Sequence, residues 1–282
     1  DDDQGIYHFA GADIDHFIKL DGGSEVLSQS YRVPHAVHNI ASNVVERIRH
    51  RQKKTWHPRQ EQGVVERIYD SSSITSFAGD WLILAQANYM LDELSENLKS
   101  SGHFFERKGR SSLSKPIRNA ISSWNHLQMS ASNELSHSLF DHISTGKERL
   151  RRGAKKNLAR AEEHELFSMS TLRTHFGLEA EKDSWDIVLD RIEDQDRAYA
   201  TALLNRGINI FEKPKIKLST VHGAKGGEAD NVLLYLDLST KALIEMEKNP
   251  DHAHRVLYVG VTRAKQNLIL KMPEDPQRGW AL

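Results

Sequence analysis

The sequence predicts an α/β protein whose parallel sheet is covered by helices and interrupted by an inserted α-helical subdomain. Trp81–Ala85 (WLILA) is a continuous apolar run of the kind that is buried in a parallel sheet. Further strand patterns at 216–220, 231–237 and 267–271 alternate with helical patterns, which favours parallel strands joined by right-handed crossovers. Over 111–206 the pattern is instead polar and helical. The α/β alternation is therefore expected to stop there and resume afterwards.

The first 110 residues contain the remaining predicted elements of the sheet. Glu25–Ser28 predicts a short strand, and Pro34 fits the first turn of a helix. Val64–Tyr69 alternates as a strand, and Met90–Leu98 has helical spacing. His103–Arg107 is a candidate for one more strand.

The interrupting block is expected to be a set of amphipathic helices. They are predicted over Leu113–Leu127, Leu135–Ile143, Trp185–Ile192 and Tyr199–Leu204. The basic run Lys147–Arg160 lies between them. Such a run is most often a solvated helix face, and the alternative is contact with phosphates, which would make binding strongly dependent on salt.

Composition limits the classes of function. The 282 residues suggest one or two domains with a sizeable core. Lys+Arg 38 against Asp+Glu 39 gives a formal net charge of -1, so any attraction to nucleic acid requires local patches. The absence of cysteine excludes disulfides and thiolate metal sites and fits a reducing cytoplasm. No apolar run approaches the ~20 residues of a membrane helix, so we expect a cytoplasmic protein without a membrane partner.

Two stretches have the composition of a nucleotide site. Lys217–Asp230 (KLSTVHGAKGGEAD) and Arg255–Ala264 (RVLYVGVTRA) are each interpreted as a strand that runs into a turn or helix start bearing cations and hydroxyls. The glycines of the first stretch allow a tight bend and a close approach to a ligand. The planar fork of an arginine in the second stretch suits phosphate oxygens.

Four motifs together resemble the UvrD/Rep-like superfamily 1 helicases. The pattern THxxKGxExD over Thr220–Asp230 resembles their motif V, and YVGVTRA over Tyr258–Ala264 resembles motif VI. Asp1–Ala12 (DDDQGIYHFAGA) resembles motif III, and Leu27–Arg32 (LSQSYR) resembles motif IV. The resemblance implies the C-terminal portion of such a helicase, built on a second RecA-like domain of the P-loop NTPase type. Its ligands would then lie at the carboxyl ends of the strands.

The resemblance also divides the chain. Residues 1–23 would be the end of the first motor domain and a linker, and 24–110 the first part of the second RecA-like domain. Residues 111–207 would be the inserted helical accessory subdomain, and 208–282 the second part of the RecA-like domain. Because the chain begins inside motif III, we expect a preceding segment.

The resemblance implies the following roles at a nucleotide. Gln4 would sense the γ-phosphate. Arg32 and Arg263 would be arginine fingers that neutralise charge on the transferred phosphoryl group. Glu228 would accept hydrogen bonds from the ribose. Further nucleotide-binding candidates are Lys225, Gly226 and Arg255, with a structural ion pair left open for Lys225.

The resemblance implies contacts to DNA as well. Tyr7 and Phe9 would stack on single-stranded bases, an interaction of about 1–3 kcal/mol per base. Thr220 and His222 would contact the strand or couple it to the nucleotide. Phe9 stands where the family usually has Trp, which predicts a weaker contact. The alternative for both aromatics is an ordinary place in the core.

The chain lacks the sequence motifs whose residues bind a nucleoside triphosphate. There is no G-x-x-x-x-G-K-[ST] and no Asp-Glu pair at the end of an apolar strand. ATP with Mg²⁺ is therefore expected to be held mainly by a separate N-terminal RecA-like half, and the 282 residues alone are expected neither to hydrolyse ATP nor to unwind DNA. No metal site is predicted, since His35 and His38 have no third ligand at a suitable spacing.

The function implied by the resemblance is the C-terminal motor half of an ATP-dependent DNA helicase. Its partners would be single-stranded DNA and junctions of single and double strands, and its direction of movement 3′ to 5′. Two alternatives are a catalytically silent nucleic-acid or protein interaction module with the same fold, and the helicase portion of a helicase-nuclease.

Overall fold

The computed structural model describes residues 1–22, 25–70, 78–129, 133–134, 138–146, 148–160, 166–181 and 183–282. Its α-helices are α1 Ile14–Ile18, α2 His35–Val45, α3 Asn88–Ser100, α4 Lys115–Met129, α5 Ser138–Asp141, α6 Ala154–Leu158, α7 Met169–His175, α8 Trp185–Val188, α9 Asp194–Asn205, α10 Thr240–Lys248 and α11 Pro250–Val261. Its strands are β1 Val64–Ile68, β2 Trp81–Ala85, β3 Phe105–Arg107, β4 Arg110–Ser111, β5 Asn133–Glu134, β6 Leu166–Phe167, β7 Ile216–Thr220, β8 Ala229–Tyr235 and β9 Ala264–Lys271. Short 3₁₀ helices span Asp2–Gln4, His8–Ala10 and Pro276–Arg278.

Seven strands form one mostly parallel sheet in the order β1-β9-β8-β2-β7-β3-β4. The pairs from β1 through to β3 along this order are all parallel. Strand β2 lies between β8 and β7, and all five of its residues are buried. A strand covered on both faces has no solvent side, which explains its continuous apolar sequence. The predicted α/β class, a parallel sheet covered by helices, is confirmed.

The chain forms two compact units, each with its own core. Unit 1 comprises Asp1–Asn97, Phe105–Lys108 and Lys215–Leu282 and contains the sheet up to β3. Unit 2 comprises Leu98–Phe104 and Gly109–Pro214, and is mainly helical. Among the described helices, none is both long enough and apolar enough to cross a membrane.

Helix α11 corrects one prediction. The strand interpretation of the start of Arg255–Ala264 is wrong, because the residues up to Val261 are helical and β9 begins only at Ala264. Every residue from Arg255 to Val261 is buried. A segment that is buried on all sides does not show the spacing that separates a helix from a strand. The helix begins with Pro250 and is capped by Asn249, whose side chain accepts a hydrogen bond from the His252 amide.

The segment around motif IV corrects another. Glu25–Ser28 forms no strand, and the nearest sheet-like pairing is an isolated bridge between Gln29 and His57. Leu27 is 90% exposed, so no neighbouring strand or core covers it. Pro34 was predicted in the first turn of a helix, and it is the N-cap residue of α2, one position before the first turn.

Unit 2 has a core centred on α4, in which Trp124 is fully buried and donates a hydrogen bond from Nε1 to the Asp183 carbonyl (2.9 Å). The helix predicted over Leu135–Ile143 is shorter in the structure, where α5 covers only Ser138–Asp141 and Leu135 lies outside the described residues. The antiparallel pair β5/β6 was not predicted.

The basic run of unit 2 is partly neutralised within that unit. Arg151 pairs with Glu179 (2.8 Å), and Arg149 lies 3.9 Å from Asp190. Lys147 lies outside the described residues. Both arginines precede α6 and so do not lie on a helix face as predicted, and their carboxylate partners leave them less available for phosphate contact.

Candidate functional site

The N-terminal segment of unit 1 is held in place by its three carboxylates. Asp3 accepts two hydrogen bonds from Arg51 (Nε 2.7 Å, Nη2 2.8 Å), and Lys54 reaches all three aspartates. Burial opposes ionisation of Asp2, but the Lys54 and Gln52 hydrogen bonds outweigh it and lower its pKa. The carboxyl oxygens are spaced closely enough to hold a metal ion, but the Lys54 ammonium already supplies a cation there. The sequence analysis did not single out Arg51 or Lys54, because their partners lie about fifty positions earlier in the chain.

That anchoring brings Gln4 to Arg263, far along the chain. Arg263 Nη2 donates to Gln4 Oε1 (3.3 Å), which joins the motif III segment to the end of motif VI. Arg32 Nε donates to Glu228 Oε2 (2.5 Å), which joins motif IV to motif V. Four of the side chains that the sequence selected for the nucleotide are thus paired two by two in unit 1.

Arg263 is a buried cation without a described anionic partner. Its side chain is 1% exposed, and no carboxylate in the described part of the chain lies within ion-pair distance of it. Its hydrogen bonds go to neutral oxygens of Val259, Thr262, Gly227 and Gln4. Burial, followed by the positive charge of Arg32, lowers the pKa of Arg263 to about 10, and Tyr258 and the Glu228 carboxylate oppose this only in part. A buried charge of this kind is normally compensated by an anion.

A cavity of about 430 Å³ adjoins this cluster. Gln4, Arg32 and Thr262 contribute polar groups to its lining, while Leu27 and Trp56 contribute apolar surface. The lining is mixed in polarity, and it places the carboxylates of Asp1, Asp2 and Glu25 in the same cavity as the cations of Arg32 and Lys54.

The position of the cluster on the sheet corrects a prediction from the sequence. Glu228 immediately precedes β8 and Arg263 immediately precedes β9, so both lie at the amino ends of their strands. The sequence analysis expected ligand groups at the carboxyl ends, where Thr220 and His222 do lie, at the end of β7. The reason is that residues 221–228 connect the carboxyl end of β7 to the amino end of β8. Motif V therefore begins at the carboxyl ends of the parallel strands and finishes at their amino ends.

At two positions of that segment, the backbone geometry explains why the residue is glycine. Gly226 has φ +87°, a backbone conformation that residues with a Cβ adopt at a cost. At Gly223 a Cβ would lie 2.8 Å from Ser219 Oγ, and the Gly223 amide donates to Thr220 Oγ1 (3.1 Å). Thr220 is therefore already engaged in shaping the turn.

The other candidates for DNA contact lie at this turn or close to it. Tyr7 is half-buried, and its hydroxyl donates to the His222 carbonyl (3.0 Å). The exposed Lys225 has its ammonium 4.8 Å from the centre of the Tyr7 ring, which is cation-π distance. Phe9 belongs to the 3₁₀ helix His8–Ala10, and its side chain lies outside the described part of the structure.

Arg255 is buried and binds main-chain carbonyl groups. It is 3% exposed, and its guanidinium donates to the carbonyls of Asp2 (2.9 Å) and His50. Burial lowers the pKa of Arg255. These bonds hold the motif III segment against α11, so the fork predicted for a nucleotide is occupied by main chain.

A family model supplies the independent comparison. The model of the UvrD-like helicase C-terminal domain matches residues 114–274, more than half of the 282 residues. No curated protein sequence gives a significant match to the chain. The matched region includes motifs V and VI and most of unit 2, and the mostly parallel sheet agrees with a RecA-like fold. The chain therefore belongs to the UvrD-like helicase C-terminal domain family.

Proposed function

We propose that this chain is the second motor half of an ATP-dependent DNA helicase, which completes a nucleotide site and guides single-stranded DNA. The observation that carries the proposal is the buried Arg263 with no described carboxylate partner. A phosphate group beside it would compensate its charge, and an arginine fork binds phosphate oxygens in a fixed geometry.

Arg32 and Glu228 make the same site responsive to a nucleotide. Their ion pair is partly exposed, with the side chains 33% and 43% accessible. A γ-phosphate could compete with Glu228 for Arg32, which would release the carboxylate for the ribose hydroxyls. Arg32 and Arg263 would then both face the transferred phosphoryl group as arginine fingers, with Gln4 beside it.

Tyr7 connects this nucleotide cluster to the proposed DNA contacts. It lies three residues after Gln4, and its hydroxyl binds the main chain of the motif V turn. We propose that Thr220, His222 and Lys225 contact the DNA strand at that turn, and that Tyr7 transmits movement between the two sites in addition to any base stacking. ATP with Mg²⁺ would be held by a P-loop half, and translocation would run 3′ to 5′ as in the family that the chain resembles.

The test compares three proteins for ATP hydrolysis and for unwinding of a duplex with a single-stranded tail. They are the 282-residue chain, its P-loop half, and the two halves joined as one polypeptide. Only the joined protein is expected to show hydrolysis that single-stranded DNA stimulates. Stimulated hydrolysis by the 282-residue chain alone would contradict the proposed division of labour. Absence of activity in the joined protein, with DNA binding retained, would favour a catalytically silent interaction module.

A further inference from the structure

Two cations of the segment that follows α2 hold the motif III carboxylates. Arg51 binds both oxygens of Asp3, and the two side chains are 11% and 1% exposed. The Lys54 ammonium lies 2.9 Å from Asp1 and 3.1 Å from Asp3, and it also contacts Asp2. An arginine that binds both oxygens of a carboxylate fixes its orientation as well as its distance. Asp3 is therefore held in one position relative to this segment.

The same segment is fastened to α11, the helix that leads to Arg263. Asp251 in the first turn of α11 accepts hydrogen bonds from the main-chain amides of residues 49–50 (3.0 Å and 2.8 Å). Arg255, one turn further along, donates to the second carbonyl of that pair and to the carbonyl of Asp2 (2.9 Å). The segment is thus placed by the helix that ends beside the proposed arginine finger.

A short series of contacts leads from Lys54 to Arg263. The ammonium of Lys54 lies beside Oδ1 of Asp1 (2.9 Å), whose other oxygen accepts a hydrogen bond from Nε2 of Gln4 (3.0 Å). Because the amide nitrogen of Gln4 is turned to this carboxylate, its oxygen is turned to Arg263 and accepts from Nη2 (3.3 Å). The oxygen and nitrogen of a glutamine side chain have opposite hydrogen-bonding roles. The charge on Asp1 therefore selects which of them faces Arg263.

The Gln4 side chain depends on both cations. Within the described residues, Lys54 supplies the ion pair of Asp1, whose side chain is 38% exposed. Loss of the ammonium would let this carboxylate turn to solvent and release the amide of Gln4. Loss of Arg51 would free the main chain instead, since Gln4 directly follows Asp3. In either case the bond from motif III to the guanidinium at the end of motif VI would weaken.

We infer that Arg51 and Lys54 are positioning residues for the ATP hydrolysis proposed above. Lys54 orients the Gln4 carboxamide through Asp1, and Arg51 fixes the main chain next to it. Both residues lie outside the four motifs. The inference rests on the proposed function, because a positioning role requires a reaction in which Gln4 and Arg263 take part.

The test measures steady-state ATP hydrolysis by the joined motor with single-stranded DNA present. A misplacement of about 1 Å can cost about 10²-fold in rate, so Arg51→Ala and Lys54→Ala should each lower kcat about 10–100-fold. Neither residue is assigned to the nucleotide, so KM for ATP should stay within about twofold. Lys54→Arg retains a cation for Asp1 and should recover most of kcat.

A double substitution separates positioning from a general effect on the fold. If Lys54 acts through Gln4, adding Lys54→Ala to Gln4→Ala should lower kcat by less than about twofold more. Lys53→Ala and Arg49→Ala are the matched controls, since each removes an exposed cation of the same segment, and both should leave kcat unchanged. Losses that multiply fully in the double variant would overturn the inference.

Amide hydrogen exchange in the 282-residue chain gives a readout that does not depend on activity. Peptides from residues 2–10 should exchange at least about tenfold faster in Arg51→Ala and Lys54→Ala than in the wild type or either control. Equal exchange would overturn the inference, and so would an active wild type whose two alanine variants keep kcat within about threefold. An inactive joined wild type would refute the proposed function itself, whatever the exchange rates. Breaking a buried ion pair is costly, so the Lys54 variants carry the test where Arg51→Ala does not fold.

Discussion

Replacing Arg263 with alanine in the joined motor tests the proposed catalytic role most directly. A guanidinium about 4 Å from a phosphoryl oxygen contributes about 4 kcal/mol at an effective dielectric constant of about 20. The loss of one charge-stabilising group from an active site commonly lowers kcat about 10²–10³-fold, which is the same scale. We therefore expect kcat for ATP hydrolysis at saturating single-stranded DNA to fall about 10²–10³-fold in Arg263→Ala.

The structure also gives Arg263 a packing role, which must be separated from catalysis. Its guanidinium donates to the carbonyls of Val259 and Gly227, and each buried group left without a partner costs about 1–3 kcal/mol of stability. Arg263→Lys retains the charge but loses the fork, so it should recover stability more fully than kcat. Arg278→Ala removes an exposed arginine of the same unit and should change neither quantity.

The assay is steady-state ATP hydrolysis with and without single-stranded DNA, together with thermal unfolding of each variant. If Arg263→Ala is folded and its kcat stays within about threefold of the wild type, Arg263 is a structural residue and the arginine-finger assignment is refuted. If kcat and melting temperature fall in strict proportion across the Ala and Lys variants, the loss is one of folding and the assignment is refuted equally.

Three further outcomes follow from the structure. Tyr7→Phe removes the hydroxyl that binds the His222 carbonyl but keeps the ring. Stimulation of hydrolysis by single-stranded DNA should therefore fall about 2–10-fold, the scale of one hydrogen bond, while the unstimulated rate is unchanged. An equal fall in both rates would contradict a coupling role. Burial lowers the pKa of His38, so on acidification the unfolded protein binds a proton at this histidine before the folded protein does. The free energy of unfolding should therefore decrease as pH falls below about 6.5. Urea titrations should show a smaller decrease in His38→Gln, and the same pH dependence in both proteins would exclude this histidine as a contributor. Trp124→Ala should destabilise unit 2 by about 3–5 kcal/mol, because the side chain is fully buried. Hydrogen exchange should show the loss of amide protection mainly in unit 2. An equal loss of protection across unit 1 would show that the two cores do not unfold separately.

The sequence alone was sufficient for the elements whose signals are local. The five apolar residues of β2 identify a buried central strand because a strand covered on both faces has no polar side. The order of motifs V and VI identified the family that the family model then matched. The polar helical stretch marked where the sheet pattern is interrupted, and the structure has a separate mainly helical unit there. Each of these signals comes from the pattern of one continuous stretch of sequence or from the order of such stretches along the chain.

Only the tertiary structure decided which side chains meet and in what environment. Arg32 and Glu228 are separated by 196 positions, and their contact depends on how β8 and α2 are placed by the whole sheet. Arg255 and Arg263 look equivalent in sequence, yet one is occupied by main-chain carbonyls and the other has no described carboxylate beside it. The helical state of residues 255–261 was hidden for a related reason, since burial on every side removes the periodic pattern from which secondary structure is predicted. Local sequence thus identified the central strand and the family, whereas burial and long-range partners determined which side chains meet at the site and in what electrostatic environment.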